Sequence, residues 1–532
     1  MKTSLASCLA GAALILVGCS QGGAPAPNHQ SSSALSLSGA AALSVQQGSS
    51  GKETLSLSSQ SLSGTVQLSY RVSEGGAALP SSAFSFSPSS VTLSAGKAVQ
   101  VPLTVQTPSS LAGHDQVQVT ASLSGVSASA TFPLTVTGEQ VIYSFQGGSD
   151  GANPEAALVL GSNGDLYGTT ELGGASSKGT VFQLSPPASP GSSWTEQVIY
   201  SFKGGSDGAD PKASLVLGSN GDLYGTTYGL NGTSDYGTIF QLSPPTSSGG
   251  SWAEQVLHNF GSTGDGANPR APLILGSNRE LYGTTAYGGT PGNGTVFQLT
   301  PTASSGGNWT ETVLHSFGSG GDGIYPFSSL IFSSNGELLY GTTAGGGSSG
   351  TSSDGTVFEL SPITTGSGWA EQVIYNFQGG SDGADPLSSL IFGSKGELYG
   401  TTGFGGASDL GTVFQLSPPT SSGGSWTETV LYSFGGGSDG AHPTAALIFG
   451  SKGELYGTTA VGGASGKGTV FQLAPATTGS GWTEQVIYNF KGSSDGANPE
   501  APLILGSNGD LYGTTYSVNG TSDYGTVFKI VL

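Results

Sequence analysis

Residues 161–170 read GSNGDLYGTT, and this phrase returns with small changes through the rest of the chain. Its tyrosine opens a YGTT seven times, at Tyr167, Tyr224, Tyr282, Tyr340, Tyr399, Tyr456 and Tyr512. The copies are 56 to 59 residues apart. A fixed period of this length indicates a repeat architecture, in which each unit buries its faces against its neighbours.

Each repeat contains four short segments with a β-strand pattern. In the first copy they are ALVLGS (157–162), DLYGTT (165–170), GTVFQL (179–184) and WTEQVIYSF (194–202). The Asn163-Gly164 pair predicts a type I′ hairpin turn between the first two segments, because both residues tolerate positive φ. Four antiparallel strands repeated seven times predict an all-β fold, a seven-bladed β-propeller.

The two ends of the array are complementary. A lone copy of the fourth segment, EQVIYSF at 139–145, precedes the first repeat, whereas the last repeat stops after its third segment, GTVFKI. Pairing 139–145 with the repeat at 500–532 gives every unit four strands. We therefore expect a closed ring, since an open solenoid requires atypical capping repeats, which the sequence does not contain.

The composition argues against several classes of function. Acidic residues outnumber basic ones by 34 to 14, so the formal charge is −20 and nucleic acid is not an expected partner. Both cysteines, Cys8 and Cys19, precede the repeats, so a disulfide framework or a thiolate metal site is not expected there. The five histidines are scattered without zinc-binding spacing, and we expect no metal site and no cofactor.

The first 33 residues predict export and membrane anchoring. Lys2 and an apolar run from Leu9 to Val17 form a signal peptide, at 1–18, that is too short to span a bilayer. The quartet LVGC at 16–19 resembles a bacterial lipobox, which implies acylation of Cys19. The alternative is a plain secretory signal with an incidental cysteine. Residues 19–33 form a polar tether, and the acyl chains would hold the protein in the cell envelope, at the outer membrane or cell surface.

Residues 34–137 alternate polar and apolar residues without repeating, as in VQLSYRVS and KAVQVPLTVQT. Runs of period two separated by Gly, Ser and Pro clusters are typical of a β-sandwich. The segment resembles the immunoglobulin-like modules of bacterial surface proteins, without the Cys and Trp of antibody domains. We expect it to be a spacer between the anchor and the repeats.

The repeats, at 138–532, resemble the GloVer tandem-repeat family of exported bacterial proteins. The copies share the family's elements DG, P and LYGTT, usually followed by GG and GTVF. The resemblance implies a repeat structure, and it implies no particular activity.

Residues that recur in every copy are interpreted as structural. All six tryptophans fall in fourth segments, so burial between units is preferred to sugar stacking. His258 and His315 stand where other copies have tyrosines such as Tyr200, and they are interpreted as packing substitutes. The Asp-Gly pairs in the seven loops before the first segments, beginning at Asp150, favour turns over a ring of calcium ligands.

The variable positions are the candidate ligand contacts. The residue after each loop proline would lie at the mouth of a central channel. These positions give the candidates Glu155, Lys212, Arg270, Phe327 and Glu500. The loops between the second and third segments add Tyr228, Tyr236, Tyr287, Phe404, Tyr516 and Tyr524. Aromatic faces among small polar groups suit a carbohydrate or a peptide, although the same positions could be solvated and unconstrained.

Three functions fit these patterns. The first is a non-enzymatic surface lipoprotein that binds a glycan, a peptide or an envelope protein. The second is a propeller hydrolase or lyase acting on polysaccharide, in which Glu155 and Glu500 form a carboxylate pair. The third is a self-associating structural protein. With no histidine at the mouth and no metal-binding motif, a binding role is favoured over catalysis.

Overall fold

The computed structural model describes most of the chain after the tether. The described residues are 34–39, 41–74, 77–78, 84–108, 112–189, 192–229, 235–247, 249–261, 264–302, 309–318, 321–347, 354–363, 368–421, 423–476, 481–492, 494–516 and 523–532. The predicted signal peptide, the tether and Cys19 lie outside them. Within these ranges the secondary structure is β-strand apart from three single-turn 3-10 helices, at Gly148–Asp150, Gly205–Asp207 and Gly437–Asp439. None of the described helices has the length and apolar character needed to cross a membrane.

Two sheets precede the repeats. In the described part of this region the strands are β1 (Leu35–Ser38), β2 (Leu43–Gln46), β3 (Ser50–Ser59), β4 (Gly64–Glu74), β5 (Ala77–Ala78), β6 (Ser85–Ser87), β7 (Ser90–Leu93), β8 (Lys97–Gln106), β9 (Gly113–Leu123) and β10 (Val126–Ser144). One sheet has the order β1-β3-β8-β6, and the other runs β10-β9-β4-β5, with β2 against β10 and β7 against β4. Leu55, Leu57 and Val101 of the first sheet share one core with Val117 and Leu134 of the second. The period-two alternation predicts this arrangement of two facing sheets.

Each of the first six repeats forms a four-stranded antiparallel sheet with its strands in chain order, and the three strands of the seventh are followed in their sheet by β10. We number the repeats unit 1 to unit 7 by their YGTT copies. Units 1 to 3 contain β11 (Val159–Leu160), β12 (Leu166–Thr170), β13 (Thr180–Ser185), β14 (Thr195–Ser201), β15 (Val216–Leu217), β16 (Leu223–Thr227), β17 (Thr238–Ser243), β18 (Ala253–Asn259), β19 (Ile274–Leu275), β20 (Leu281–Thr285), β21 (Thr295–Pro301) and β22 (Trp309–Ser316). Units 4 to 6 contain β23 (Ile331–Phe332), β24 (Leu339–Thr343), β25 (Thr356–Pro362), β26 (Trp369–Asn376), β27 (Ile391–Phe392), β28 (Leu398–Thr402), β29 (Thr412–Ser417), β30 (Thr427–Ser433), β31 (Ile448–Phe449), β32 (Leu455–Thr459), β33 (Thr469–Pro475) and β34 (Trp482–Asn489). Unit 7 contains β35 (Ile504–Leu505), β36 (Leu511–Thr515) and β37 (Thr526–Val531).

The end of β10 supplies the missing strand of unit 7. Residues 138–144 pair antiparallel with β37, as the sequence predicts. Thr514 Oγ1 of unit 7 donates a hydrogen bond to Ala156 O of unit 1 (3.1 Å), and Thr169 Oγ1 of unit 1 makes the same contact with Ala213 O of unit 2 (3.3 Å). The last unit therefore contacts the first as neighbouring units contact each other, in a propeller-like ring.

β10 also joins the ring to the N-terminal sheets. Its residues 126–136 pair with β9, so the expected boundary at residues 137 and 138 lies inside one continuous strand rather than in a linker. A side-chain contact reinforces this junction. His114 Nε2 lies 2.9 Å from Asp510 Oδ1, and Lys529 Nζ lies 3.5 Å from Asp510 Oδ2. Asp510 is fully buried, so backbone and side chains both fasten the sandwich to unit 7.

The tryptophans lie between neighbouring units, as the structural interpretation expects. Trp252 of unit 2 meets the ring of Tyr167 of unit 1 edge-on, with ring centres 6.0 Å apart. Trp309 of unit 3 meets Tyr224 of unit 2 in the same way at 6.4 Å. The repeated Trp and Tyr therefore serve packing between units.

The hairpin turn after the first strand differs from the prediction. Gly164 N donates to Gly161 O (3.0 Å), and Gly164 has a φ of 88°, but Asn163 is not among the residues with positive φ. The turn is therefore a type I turn followed by a left-handed glycine, not type I′. The Asn163 side chain explains the difference, because its Oδ1 accepts a hydrogen bond from Asp165 N (3.2 Å) and caps the turn.

The glycine of YGTT is needed for space. A Cβ atom on Gly400 would lie 2.6 Å from Cζ of Phe414, the phenylalanine of the GTVF strand, and 3.0 Å from Cδ2 of Leu390. Equivalent contacts, at 2.5 to 2.7 Å from the ring, recur at the other six copies. The YGTT motif therefore recurs because in each unit a buried phenylalanine ring packs directly against the glycine of the motif.

Replacing Gly400 by Ala is expected to lower the free energy of unfolding by about 1–3 kcal/mol, because the methyl group overpacks the site. Adding Phe414→Leu should recover part of this loss, since it removes the ring atoms that the new methyl group meets. Chemical denaturation of Gly400→Ala, Phe414→Leu and the double variant measures this coupling. Strictly additive effects of the two substitutions would contradict the packing argument.

Candidate functional site

One cavity receives a side chain from every unit. The residues that follow the loop prolines are Glu155, Lys212, Arg270, Phe327, Leu387, Thr444 and Glu500, and all of them line a cavity of about 240 Å³. The residue before each of these prolines has a positive φ, between 53° and 60°. The same backbone turn therefore delivers an equivalent side chain to the cavity from each unit.

Charged side chains of units 1, 2 and 3 form a connected cluster on one side of the cavity. Arg270 Nη2 donates to Glu155 Oε1 (2.7 Å), and Lys212 Nζ lies 3.5 Å from Glu155 Oε2. Lys212 Nζ also donates to Glu171 Oε1 (2.7 Å). The Glu155 and Glu171 side chains are each 13% exposed, so these contacts are less screened than surface ion pairs.

Burial and neighbouring charge act in opposite directions on the cations of this cluster. Burial alone would lower the pKa of Lys212, but Glu155 and Glu171 raise it above its ordinary value. At Arg270, burial would again lower the pKa, but the charge of Glu155 outweighs it and raises the pKa above its ordinary value. Burial raises the pKa of Glu500, and the charge of Glu155 raises it further. Glu500 therefore holds a proton more readily than an ordinary glutamate.

An aromatic group adjoins the charged cluster. The Arg270 guanidinium lies over the ring of Phe327, with Cζ 5.5 Å from the ring centre. Tyr325 stacks on Phe327 with ring centres 6.1 Å apart, and Tyr287 meets Tyr325 edge-on at 5.4 Å. Charged and aromatic surfaces therefore meet at Arg270.

Two further tyrosines flank the charged cluster. Lys212 Nζ lies 5.6 Å from the ring centre of Tyr228. Tyr516 donates its hydroxyl proton to Glu171 Oε2 (3.2 Å) and accepts a hydrogen bond from Asn153 Nδ2 (3.0 Å). Burial, with the charge of Glu171, raises the pKa of Tyr516 to about 12. Its hydroxyl therefore remains a donor at neutral pH.

None of the six aromatic candidates from the loops between the second and third segments lines the cavity itself, and three of them lie away from its residues as well. Tyr236 packs on the core between units 2 and 3, and Tyr524 packs against Gly147. Phe404 is 44% exposed and rests on His442, with ring centres 4.8 Å apart. The structure does not bring these three to the cavity, whereas the other aromatic candidates contact cavity residues or their direct partners.

Sequence reasoning missed two residues beside the cavity. Glu171 directly follows the repeated TT, where the other copies have Tyr, Ala or Gly. Tyr325 occupies the position before the loop proline, where the other copies have Asn, Asp or His. Its φ of 60° strains so bulky a residue. A position-by-position comparison of the loops between copies would have found both.

The aspartate of the Asp-Gly pair in each loop before a first strand holds the turn in which it lies. Asp150 Oδ2 accepts hydrogen bonds from the backbone N–H of Gln146 (2.9 Å) and from the hydroxyl of Tyr143 (3.1 Å). Asp382 is held in the same way by Gln378 N (2.9 Å) and Tyr375 (3.0 Å). These contacts agree with the interpretation of the Asp-Gly pairs as turns.

A glutamate of the following outer strand lies beside each of these aspartates. Burial and the charge of Asp150 raise the pKa of Glu196 to about 7. The equivalent glutamates are Glu139, Glu196, Glu254, Glu311, Glu371, Glu428 and Glu484, and in each the buried Oε1 has no hydrogen-bond partner among the described residues. We call these Asp and Glu neighbours the carboxyl pairs. Each one lies at a boundary between two successive units, and two acids so close cannot both ionise freely.

The structure resembles two solved proteins at low similarity. A quinonprotein alcohol dehydrogenase-like protein from Bacteroides thetaiotaomicron shares 10% identity, with a TM-score of 0.38 over 84% of this chain and 94% of that chain. The periplasmic gluconolactonase of Pseudomonas aeruginosa shares 14% identity, with a TM-score of 0.37 over 70% of this chain and 91% of that chain. No curated protein matches the sequence significantly. The model of the Gloeobacter/Verrucomicrobia repeat matches residues 106–352 and 338–532, and the chain therefore belongs to this repeat family.

Proposed function

We propose that this protein is a lipid-anchored binding module of the cell envelope whose cavity takes a sugar ring at the end of a glycan. In this proposal Cys19 carries the acyl chains, residues 34–137 form an immunoglobulin-like sandwich, and residues 138–532 form a seven-bladed β-propeller. The tether and sandwich hold the cavity away from the membrane surface.

The charge pairing at the cavity carries the proposal. Lys212 and Arg270 are the cations that line it, and both are already paired with Glu155 or Glu171. An anionic ligand would have to compete with these carboxylates. Neutral hydroxyl groups, in contrast, can donate to the carboxylates and accept from the cations without breaking the pairs.

The size of the cavity and the aromatic residue in its lining support the same ligand class. A volume of about 240 Å³ is smaller than the roughly 300–1,000 Å³ of pockets for drug-sized ligands, so a single ring fits better than a longer segment. Phe327, with Tyr325 and Tyr287 beyond it, offers apolar faces next to the charged cluster. A sugar ring has apolar C–H faces and a polar rim, and it can use both surfaces at once.

A glycan array with the full-length Cys19→Ser protein, followed by calorimetry with the best-binding glycan, tests the proposal. Glu155→Gln and Phe327→Ala are each expected to weaken binding at least about tenfold, or about 1.4 kcal/mol. Lys452→Ala is the control, because Lys452 is exposed in the hairpin turn at the opposite end of the strands. An array without a binder, or binding that both cavity variants retain, would refute the proposal.

A specific observation favours a hydrolase or lyase as the second candidate. Burial and the charge of Glu155 raise the pKa of Glu500, and a glutamate that keeps its proton more readily can act as a general acid. If the bound glycan is cleaved, Glu500→Gln should abolish release of product while binding persists. Release that continues in both Glu500→Gln and Glu155→Gln would exclude this pair as the catalytic groups.

A further inference from the structure

Two boundaries between units carry a histidine where the other five carry a tyrosine. At a tyrosine boundary the hydroxyl donates to the aspartate of the carboxyl pair, as Tyr432 does to Asp439 (3.0 Å). His258 takes this position between units 2 and 3, and His315 takes it between units 3 and 4. The change replaces a phenol, which is a hydrogen-bond donor at neutral pH, by an imidazole, which can also bind a metal ion.

Three different side chains converge at the boundary between units 3 and 4. His315 Nε2 of β22 lies 2.9 Å from Asp322 Oδ2, and Glu371 of β26 completes a set whose ligand atoms all lie within 4.8 Å of one another. Gly318 N donates to the other oxygen, Asp322 Oδ1 (3.0 Å). This second contact orients the carboxylate of Asp322, so that its Oδ2 points toward His315 and can act as a ligand.

Glu371 brings a buried carboxylate oxygen to this boundary, as the glutamates of the other carboxyl pairs do at theirs. Its Oε1 is buried and lacks a hydrogen-bond partner within the part of the chain that the structure describes. A buried carboxylate oxygen in this state is costly unless a proton or a cation satisfies it.

We propose that His315, Asp322 and Glu371 bind a first-row divalent transition metal ion of the zinc type. One imidazole nitrogen with two carboxylate oxygens suits such ions. Bonds of about 2.0–2.2 Å place the ligand atoms of a zinc ion roughly 3–4 Å apart, so the three side chains need only close slightly. Calcium is a poorer fit, because it takes about six to eight oxygen ligands.

The bound ion would fasten two neighbouring units. His315 belongs to the outer strand of unit 3 and Glu371 to the outer strand of unit 4, so one ion bridges strands that are not hydrogen-bonded to each other. The His315 and Asp322 side chains are 18% and 8% exposed, which leaves access for a water ligand. Binding should therefore stabilise this boundary in the folded protein.

The boundary between units 2 and 3 offers a matched control. His258 Nε2 lies 3.4 Å from Asp265 Oδ2, and Glu311 occupies the position of Glu371. The histidine–aspartate distance is longer here than the 2.9 Å at His315, and the ligand atoms of these three side chains do not all lie within 4.8 Å of one another. Substitution of His258 therefore tests whether a histidine at this position is enough to bind the metal ion without the closer arrangement at His315.

The test is titration of the full-length, untagged Cys19→Ser protein after treatment with a chelator. Calorimetry with Zn²⁺ and visible absorption with Co²⁺ should detect a tight site, and Zn²⁺ should raise the melting temperature. His315→Tyr is expected to weaken this binding at least about 100-fold and to keep the fold, since tyrosine occupies five sister positions. Glu371→Gln should weaken it at least about tenfold, and His258→Tyr should leave it unchanged.

Two results would overturn the proposal. One is a parent protein that binds Zn²⁺ no more tightly than His315→Tyr does. The other is a tight site that His258→Tyr removes and His315→Tyr retains. Melting curves of each variant without metal show that the fold is intact before binding is compared.

Discussion

The free energy of unfolding is expected to fall by several kcal/mol as the pH rises from about 5 to about 8. The carboxyl pairs cause this, because a glutamate whose pKa is raised by folding holds its proton more tightly in the folded chain. For Glu428 the pKa rises from 4.5 to about 7, through burial and then the charge of Asp382. The stabilisation is complete below the ordinary pKa and is lost as the pH passes through the folded value.

Repetition makes this effect large. A pKa of about 7 in place of 4.5 corresponds to at most about 3 kcal/mol for one pair, and partial exposure with solvent screening reduces this to about 1 kcal/mol. Glu139, Glu196, Glu311, Glu371, Glu428 and Glu484 have values of about 7, and the pKa of Glu254 is also raised. Burial lowers the pKa of His258, which acts in the opposite direction. The seven glutamates outweigh this single histidine, so the net stability falls as the pH rises.

Thermal unfolding across this pH range, with a chelator present, measures the effect. Glu428→Gln serves as the matched variant, because an amide resembles the protonated acid. It should match the parent at pH 5 and exceed its stability by about 1 kcal/mol at pH 8. A melting temperature that rises between these pH values would contradict the assignment of the carboxyl pairs.

Replacing Phe145 by Ala is expected to lower the free energy of unfolding by about 3–5 kcal/mol. Phe145 directly follows β10 and is 3% exposed. Its ring meets Phe182 of unit 1 edge-on at 5.1 Å, so it packs the strand of unit 7 against the first repeat. The substitution creates a cavity at the position where the two ends of the array meet.

Phe377→Ala is the control for this substitution. Phe377 is the equivalent residue of unit 4, fully buried and 5.1 Å from Phe414. Both variants should lose similar packing energy, but only Phe145→Ala should loosen the pairing of β10 with β37. Hydrogen exchange of the β37 amides distinguishes them. If these amides are equally protected in both variants, the closing strand is not held by Phe145.

The repeat structure could be predicted because each unit has the same packing problem. Seven spaced copies of YGTT indicate the sheets, and the surplus segment at 139–145 indicates how the ring closes. The turn type could not be predicted, because Asn163 tolerates both signs of φ and its side-chain hydrogen bond to Asp165 decides between them. The junction inside β10 was also hidden, since Thr137 and Gly138 resemble a loop in the sequence.

The candidate site was only partly predictable. The residues after the loop prolines differ between repeats whose other positions are nearly constant, and the shared repeat structure brings these residues to one cavity. The partnership of Arg270 with Glu155 spans 115 residues and depends on ring geometry. Tyr236 and Tyr524 are of a residue type that often contacts ligands, but their loops place both side chains in packing contacts within the protein. The carboxyl pairs were missed because the aspartate of the loop and the glutamate of the outer strand are far apart in the sequence and meet only in the folded ring.

The continuity of β10 has a mechanical consequence. A pull on the N-terminal side of this strand reaches unit 7 along the strand axis, because no flexible linker lies between residues 126 and 144. The hydrogen bonds between β10 and β37 are then loaded in shear, all together, rather than peeled apart one at a time. A pull along this axis therefore meets the ladder in its most resistant geometry.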